Sequence, residues 1–308
     1  MRSSYNYQMS FPDKIPKLPD IKRPNIRAHN NPLMHSMGKT VRVISNQILA
    51  LWDSGKFKAE IFEITQHKFP IQYLDPIFDG LRIVQISDIH LGTWMNSDRL
   101  AGVVELVNSQ CPDLICITGD FITHLTDQIA SKLAKPLKNL SAPYGTIAVL
   151  GNHDYWSNPN VVRSVLKECG IRELRNEVWM IERGSHLLFV AGLDDVYNGQ
   201  DDLSRVLAQL PEEAPAIILV HVPDFADITA ATGKFSLQLS GHSHGGQISL
   251  PGIGSPVLPP LGRKYYRGQY QINGMIQYTN RGVGSATLPI RYNCPPEIAV
   301  IELCSPEE

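Results

Sequence analysis

Two histidines flank one serine in the stretch LQLSGHSHGGQ, residues 237–247, and this stretch permits two different kinds of chemistry. Residues 241–245 fit the Gly-x-Ser-x-Gly pattern of serine hydrolases, in which Ser243 would be the nucleophile. Alternatively, His242 and His244 are metal ligands, because imidazole suits several divalent transition metals. The rest of the chain has to decide between a nucleophile and a metal centre.

The residues after Ser243 argue against a nucleophile. A nucleophilic serine of this pattern follows a strand and opens a helix, but residues 245–260 contain too many Gly and Pro residues for a helix. The pattern also needs an acid and then a histidine later in the chain, and no histidine follows His244. We therefore interpret Ser243 as a spacer that allows two ligands to converge.

Further polar side chains follow short apolar runs that we interpret as buried strands. Besides His242 and His244, this set contains Asp88, His90, Asp120, Asn152, His153 and His221. One such residue alone is usually a local cap, whereas this many at strand ends indicate a shared metal site. Oxygen and imidazole ligands together suit Mn, Fe or Zn. On an extended strand end, the side chains of residues two apart point the same way. Asp88 with His90, and His242 with His244, would therefore each reach one cavity.

The elements that must position these residues alternate in type. Apolar runs within residues 81–90, 113–120 and 146–154 alternate with helical patterns such as residues 98–110 and 160–170. The polar clusters recur at about 30 residues, the length of a strand-helix-strand unit. We therefore predict an α/β protein with ligands at the carboxyl ends of its strands. Short strands follow residue 247, and the last one, residues 297–303, is predicted to close a second sheet facing the first.

Composition restricts the classes of function. The chain has 308 residues, is 43% hydrophobic and carries a formal net charge of -2, so no nucleic-acid partner is expected. Its five cysteines form no CxxC pair, which indicates a reduced, cytoplasmic compartment. No apolar run reaches signal-peptide length or the roughly 18 residues of a membrane span, so neither is expected.

The chain divides into three predicted parts. Residues 1–38 form a Pro-rich basic arm, residues 39–80 an amphipathic helix and a lead-in strand region, and residues 81–308 the main domain. Apolar residues at helical spacing in 41–52 leave two alternatives: a helix docked on the core, or one lying on a membrane surface.

The motifs together resemble those of a known family. Asp88-Ile89-His90, Gly119-Asp120, Gly151-Asn152-His153-Asp154, His221 and Gly241-His242-Ser243-His244 resemble, in order and spacing, the signature of the calcineurin-like metallophosphoesterases. The resemblance covers residues 81–304 and implies a four-layer α/β/β/α sandwich, with two mixed sheets flanked by helices.

The resemblance also implies a role for each residue. One metal would be bound by Asp88, His90, Asp120 and His244, and the other by Asp120, Asn152, His221 and His242. Asp120 would bridge two divalent ions, Mn foremost with Fe or Zn as alternatives, and a hydroxide between them would attack phosphorus. His153 would contact the phosphate and protonate the leaving oxygen, with Asp154 orienting it. Thr123 departs from the family's GDxxD block, which leaves the partner of His153 open.

The stretches GHSHGGQ and LPIRYNCPPEIAVIEL resemble one bacterial branch of membrane-associated phosphodiesterases. This implies a nucleotide-lipid substrate, UDP-2,3-diacylglucosamine, cleaved to lipid X and UMP for lipid A synthesis. It also implies peripheral contact with the cytoplasmic face of the inner membrane. The predicted substrate-binding residues, next to apolar loop positions, are Arg263, Lys264, Arg267 and Arg291, unless they are ordinary hairpin residues.

Two other interpretations stay open. A phosphodiesterase of this family could act on another phospholipid or nucleotide. The chain could also be a scaffold that kept the fold and lost catalysis, although every predicted ligand and His153 are present. A protein phosphatase is disfavoured by Thr123.

Overall fold

The computed structural model describes residues 56–126, 128–286, 288 and 290–306. The predicted basic arm, residues 1–38, and the predicted amphipathic helix within residues 41–52 lie outside the described residues.

The first sheet contains the strands that follow the early motifs. Its members are β1 (Glu63–Pro70), β2 (Arg82–Ile86), β3 (Leu114–Thr118), β4 (Thr146–Val149), β5 (Arg172–Glu173) and β12 (Glu297–Cys304). Their spatial order is β1-β12-β2-β3-β4-β5. β2 to β5 are parallel, β12 is antiparallel to β2, and β1 is parallel to β12. The carboxyl ends of β2, β3 and β4 therefore meet at one edge.

The second sheet carries the later motifs. Its members are β6 (Glu177–Arg183), β7 (His186–Gly192), β8 (Ala216–Leu219), β9 (Leu237–Ser240), β10 (Gly268–Ile272) and β11 (Met275–Thr279). Their order is β10-β11-β9-β8-β7-β6. The four central strands are parallel, and the two edge strands, β10 and β6, are antiparallel to their neighbours.

The helices cover the outer faces of both sheets. They are α1 (Ser97–Ser109), α2 (Ile129–Leu137), α3 (Asn152–Ser157), α4 (Pro159–Glu168), α5 (Leu203–Leu207) and α6 (Ala226–Ala231). Single 3-10 turns occur at Ala59–Ile61, Pro76–Phe78, Pro223–Phe225 and His244–Gly246. Within the described part of the chain, no helix has the length and apolar character needed to cross a bilayer.

Three apolar layers confirm the predicted four-layer sandwich. Leu100 of α1 and Ile115 of β3 belong to the layer between the first sheet and its helices. Ile83 of β2 and Leu239 of β9 belong to the layer between the sheets. A third layer lies between the second sheet and α5 and α6. Central strands are covered on both faces, which explains their continuous apolar runs.

The prediction that residues 297–303 close the second sheet is wrong. β12 lies between β1 and β2 in the first sheet. Ile298 packs towards the helices and Ile301 towards the second sheet, and both are fully buried. A strand that is apolar on both faces needs an interior position, and β1, from the predicted lead-in region, supplies the outer neighbour.

We expect Ile301→Ala to lower the free energy of unfolding by about 2–5 kcal/mol, because it leaves a cavity between the sheets. Urea denaturation measures this change. Ile64→Ala, on the neighbouring β1 with 37% of the side chain exposed, is the matched control and should cost roughly 1 kcal/mol or less. Equal losses in both variants would contradict the interior position of β12.

Candidate metal centre

Seven predicted ligands converge where the carboxyl ends of the two sets of parallel strands face each other. Asp88 and His90 follow β2, Asp120 follows β3, Asn152 follows β4, His221 follows β8, and His242 and His244 follow β9. Each of these residues is at most 6% exposed. The structure therefore brings the whole predicted ligand set into one buried cavity.

One group of ligands lies at the end of β2. The Nε2 atoms of His244 and His90 are 3.1 Å apart, and His244 Nε2 lies 3.4 Å from Asp88 Oδ1. The ligand atoms of Asp88, His90 and His244 all fall within 4.8 Å of one another, as the ligands of a single ion would. This group could hold one metal ion.

A second group lies at the ends of β3, β4 and β8. Asp120, His221 and His242 place one ligand atom each within 4.8 Å of the others. Asn152 Oδ1 lies 3.2 Å from His221 Nε2, which adds an amide oxygen to the group. This group could hold another metal ion.

Asp120 connects the two groups. Its Oδ2 atom lies 3.3 Å from His221 Nε2 in the second group and 3.4 Å from His90 Nε2 in the first. A carboxylate has enough lone pairs to serve two ions at once. The shared oxygen therefore supports the predicted bridging position of Asp120.

Three of the histidines are oriented by a hydrogen bond at the ring nitrogen that does not face the other ligands. His221 Nδ1 donates to Thr118 O at 2.6 Å, and His242 Nε2 donates to Pro260 O at 2.9 Å. His90 Nδ1 lies 3.0 Å from Thr123 Oγ1. Such outer partners are typical of metal-binding histidines, because they leave the lone pair of the other nitrogen facing the ion. The donor set and its orientation fit divalent metal ions.

The backbone at these ligands is not extended, which corrects the expectation that they alternate along strand ends. Five ligands have positive φ angles between 48° and 70°: Asp88, His90, Asp120, His242 and His244. Residues other than glycine rarely adopt this conformation, and it occurs preferentially at functional sites. Left-handed turns, rather than strand alternation, aim these side chains inward.

Two glycines are required because the backbone approaches the ligands closely. A Cβ atom at Gly151 would lie 2.2 Å from Asp120 Oδ1, and one at Gly241 would lie 2.3 Å from Asp88 Oδ2. Both contacts are far shorter than van der Waals distance, so any other residue would displace a carboxylate ligand.

The cavity has a definite charge pattern. Burial raises the pKa of Asp120, but the neighbouring His221 and His153 lower it, and the net pKa is well below the ordinary value. Burial lowers the pKa of His221, yet the carboxylates of Asp120 and Asp88 raise it to about 10. Burial lowers the pKa of His242 to about 3. A bound cation would replace the proton on His221, because metals bind neutral imidazole.

His153 and Asp154 lie in the first turn of α3, not at the end of the strand. The backbone N–H of His153 donates to Asp120 Oδ1 at 2.9 Å, and its ring meets the His90 ring edge-on with centroids 4.7 Å apart. Burial lowers the pKa of His153 to about 4, so its imidazole is neutral at pH 7. His153 thus borders both groups of ligands.

Both carboxylate oxygens of Asp154 accept backbone N–H groups. Its Oδ1 atom accepts the N–H groups of Phe121 at 2.8 Å and Ile122 at 3.2 Å. Its Oδ2 atom accepts the N–H of Gly151 at 3.0 Å. Asp154 therefore positions His153 indirectly, by tying the start of α3 to the loop after β3.

Ser243 is confirmed as a spacer. Its Oγ atom donates to Tyr266 O at 2.5 Å and accepts the N–H of Gly245 at 3.3 Å. These bonds hold the turn between the two histidines. Among the residues that the structure describes, no histidine forms a hydrogen bond with the Ser243 hydroxyl.

Two of the predicted substrate-binding cations are already occupied. Lys264 Nζ pairs with both carboxylate oxygens of Asp227 at 2.8 Å. Arg291 Nη2 donates to the carbonyl oxygens of Arg281 and Gly284, each at 2.7 Å. Lys264 and Arg291 therefore each hold a loop in place, and their contact with a substrate stays a prediction.

The other two cations lie on the loop beside His242. Arg263 lines a cavity of about 360 Å³ together with Val257 and Leu258. The guanidinium carbon of Arg267 lies 5.4 Å from the ring centroid of Tyr266. The bond from His242 to Pro260 places this loop directly next to the second group of ligands.

Two aromatic rings beside the ligands were not predicted from the sequence. The Trp156 ring lies 4.7 Å from the His153 ring, and the Tyr197 ring lies 5.8 Å from the His242 ring, between centroids. The spacing of Trp156, three residues after His153, was the available signal, since such residues share one face of a helix.

Comparisons with known proteins agree with this geometry. The model of the Calcineurin-like phosphoesterase family matches residues 81–246. The uncharacterised metallophosphoesterase YkuE of Bacillus subtilis is 37% identical, over 80% of this chain and 86% of its own. Phosphodiesterase YaeI of Escherichia coli is 27% identical, over 79% of this chain and 88% of its own. A transmembrane protein with a metallophosphoesterase domain from Danio rerio is 31% identical over 78% of this chain, which spans only 57% of that protein.

We expect Asp120→Ala to lose at least one of two bound metal ions, because the variant removes the oxygen shared by both groups. Metal analysis of protein loaded with Mn²⁺ and then desalted measures the ion-to-protein ratio. Asp98→Ala, at the exposed start of α1, is the control and should retain both ions. Two full positions in the Asp120 variant would overturn the bridging assignment.

Proposed function

This chain belongs to the calcineurin-like phosphoesterase family and is a metal-dependent phosphoester hydrolase, and we propose that it cleaves phosphodiester or pyrophosphate bonds with two divalent ions. The observation that carries the proposal is the position of Asp120 Oδ2, 3.4 Å from His90 Nε2 and 3.3 Å from His221 Nε2. One carboxylate oxygen shared by two ligand groups is the arrangement that a two-metal hydrolase needs.

The chain's own residues would divide the remaining work. Bound metal ions would lower the pKa of water and stabilise negative charge on the phosphoryl oxygens. His153, neutral at pH 7, would donate a hydrogen bond from one ring nitrogen to a phosphoryl or leaving oxygen. The hydrogen bonds that Asp154 accepts from Gly151 and Phe121 would hold His153 at the distance that this contact requires.

We propose Mn²⁺ as the first metal to test, with Fe and Zn as the alternatives. The ligand set consists of two carboxylates, one amide and four imidazoles, namely Asp88, Asp120, Asn152, His90, His221, His242 and His244. Such mixed oxygen and nitrogen ligands, without a thiolate, suit these metals.

The lead substrate is UDP-2,3-diacylglucosamine, cleaved to lipid X and UMP. The support is an apolar rim, Ile253 and Val257, whose side chains are 74% and 78% exposed. Both residues lie on the loop that Ser255 ties to the turn after His244, through a hydrogen bond from Ser255 Oγ to Gly245 O. Arg263 lies next to Val257 in the same cavity and could pair with phosphate. Apolar side chains this exposed favour a lipid or a membrane surface as the partner.

Peripheral contact with the cytoplasmic face of the inner membrane is part of this proposal, since the apolar rim would contact the bilayer that holds the substrate. The Danio rerio relative described above carries a transmembrane part by name, which fits a membrane setting for some relatives. The alternative is a phosphodiesterase for another phospholipid or nucleotide, which the name of the Escherichia coli relative favours.

We expect His153→Ala to keep both metal ions and to lose roughly 100-fold or more in turnover, because one preorganised hydrogen-bond donor to the reacting oxygens is typically worth that much. The assay follows cleavage of bis-p-nitrophenyl phosphate with Mn²⁺ and a parallel metal analysis. His186→Ala is the control, since this histidine pairs with Asp75 on the protein surface. An unchanged rate in the His153 variant would count against this mechanism. A wild-type protein that binds metal and cleaves no ester would favour the scaffold.

We expect UDP-2,3-diacylglucosamine in anionic phospholipid vesicles to release UMP, and the protein to sediment with these vesicles. The double variant Ile253→Ser with Val257→Ser should raise KM several-fold and weaken sedimentation, because it removes the apolar rim. Ile77→Ser, at a position 46% exposed in the 3-10 turn before β2, is the matched control. Cleavage of bis-p-nitrophenyl phosphate without UMP release would discard this substrate in favour of the alternative phosphodiesters.

A further inference from the structure

Four rings form a continuous aromatic arc along one side of the ligand cavity: His153, Trp156, Tyr197 and His242. Successive ring centroids are 4.7, 5.4 and 5.8 Å apart. The arc begins at His153, which lies within 4.8 Å of His90 and Asp120, and ends at His242 in the second ligand group. Whatever occupies the space between the two ligand groups is therefore close to this arc.

Trp156 is the member of the arc that is open to solvent. Its side chain is 50% exposed, whereas Tyr197, against which it packs edge-on, is 2% exposed. No described residue accepts a hydrogen bond from the indole N–H of Trp156. A large apolar ring held next to a buried polar cavity, and half uncovered, is suited to contact a ligand.

The position of Trp156 is fixed by the same features that fix His153. Both residues lie on α3, three positions apart and therefore on one face of the helix. The carboxylate of Asp154 ties the beginning of this helix to Gly151 and Phe121. A ligand whose phosphate contacts His153 would consequently have its next chemical group beside a rigid indole ring.

We propose that Trp156 is a specificity-determining residue that stacks against the base of a nucleoside phosphoester bound at the metal centre. This inference rests on the proposed hydrolase function. It adds that the group on one side of the cleaved phosphate is a nucleoside. A flat aromatic base matches the indole, because stacking on an aromatic side chain is favourable for every base and tolerates different bases. Flexible acyl chains would instead gain most from the aliphatic rim of Ile253 and Val257.

The experiment compares the binding of UMP and ribose 5-phosphate to the full chain loaded with Mn²⁺, by isothermal titration calorimetry. The two ligands share the sugar phosphate and differ in the base. We expect UMP to bind about 5- to 150-fold more tightly, the range that stacking on one aromatic side chain provides. Trp156→Ala should remove this preference, and Trp156→Phe should retain most of it.

Tyr73→Ala is the matched control. Tyr73 is an aromatic residue of similar exposure, 52%, and it follows β1. Because β1 runs opposite to β2, its carboxyl end lies at the edge of the sheet away from the ligands. The control variant should keep the full preference for UMP. Metal content and circular dichroism spectra should match the wild type in every variant.

Equal affinity for the two ligands in the wild-type protein would overturn the stacking proposal, as would a preference that survives Trp156→Ala. Tight binding of p-nitrophenyl phosphate without a preference for UMP would also overturn it, since the ring would then recognise aryl groups and not nucleosides. The binding measurement does not depend on turnover. A UMP preference without hydrolysis would refute only the hydrolase function, and hydrolysis without the preference would refute only the stacking.

Discussion

Two buried carboxylates in one cavity are the constraint on which the rest of the site depends. Asp88 and Asp120 are at most 1% exposed, and burial together with the Asp120 charge raises the pKa of Asp88. Buried negative charges are tolerated only when positive charge or hydrogen bonds compensate them. Here the proton on His221 supplies part of the compensation, and two divalent cations would supply the rest.

This constraint explains why the backbone around the cavity is unusual. Carboxylates and imidazoles from both sheets must aim at a small volume, and regular strand ends cannot do this. The chain uses left-handed turns at five ligands and requires glycine at positions 151 and 241, where the backbone passes close to a carboxylate. The strain of these turns is tolerated because the two sheets and their three apolar layers hold the strand ends in place.

The metal centre and its walls have separate functions. The ligands and His153 would determine which bond is cleaved, whereas the walls would determine which molecule presents that bond. One wall is the aliphatic rim with Arg263, and another is the aromatic arc with its half-exposed indole. Members of one fold family commonly share a catalytic centre and differ in such surroundings, so the walls are where the substrate of this chain has to be sought.

The sequence was enough to predict the ligand types and the strands that carry them, and the resemblance of these motifs to the family implied the four-layer architecture. Those features are local: apolar runs buried on both faces, followed by polar residues in a recognisable order. The tertiary structure alone decided that β12 lies in the first sheet and that Asp154 binds backbone N–H groups. It likewise decided that Lys264 pairs with Asp227, 37 positions away, and that Trp156 packs edge-on against Tyr197. Sequence patterns report the periodicity of a segment, whereas these outcomes depend on which distant segments become neighbours when the sheets pack.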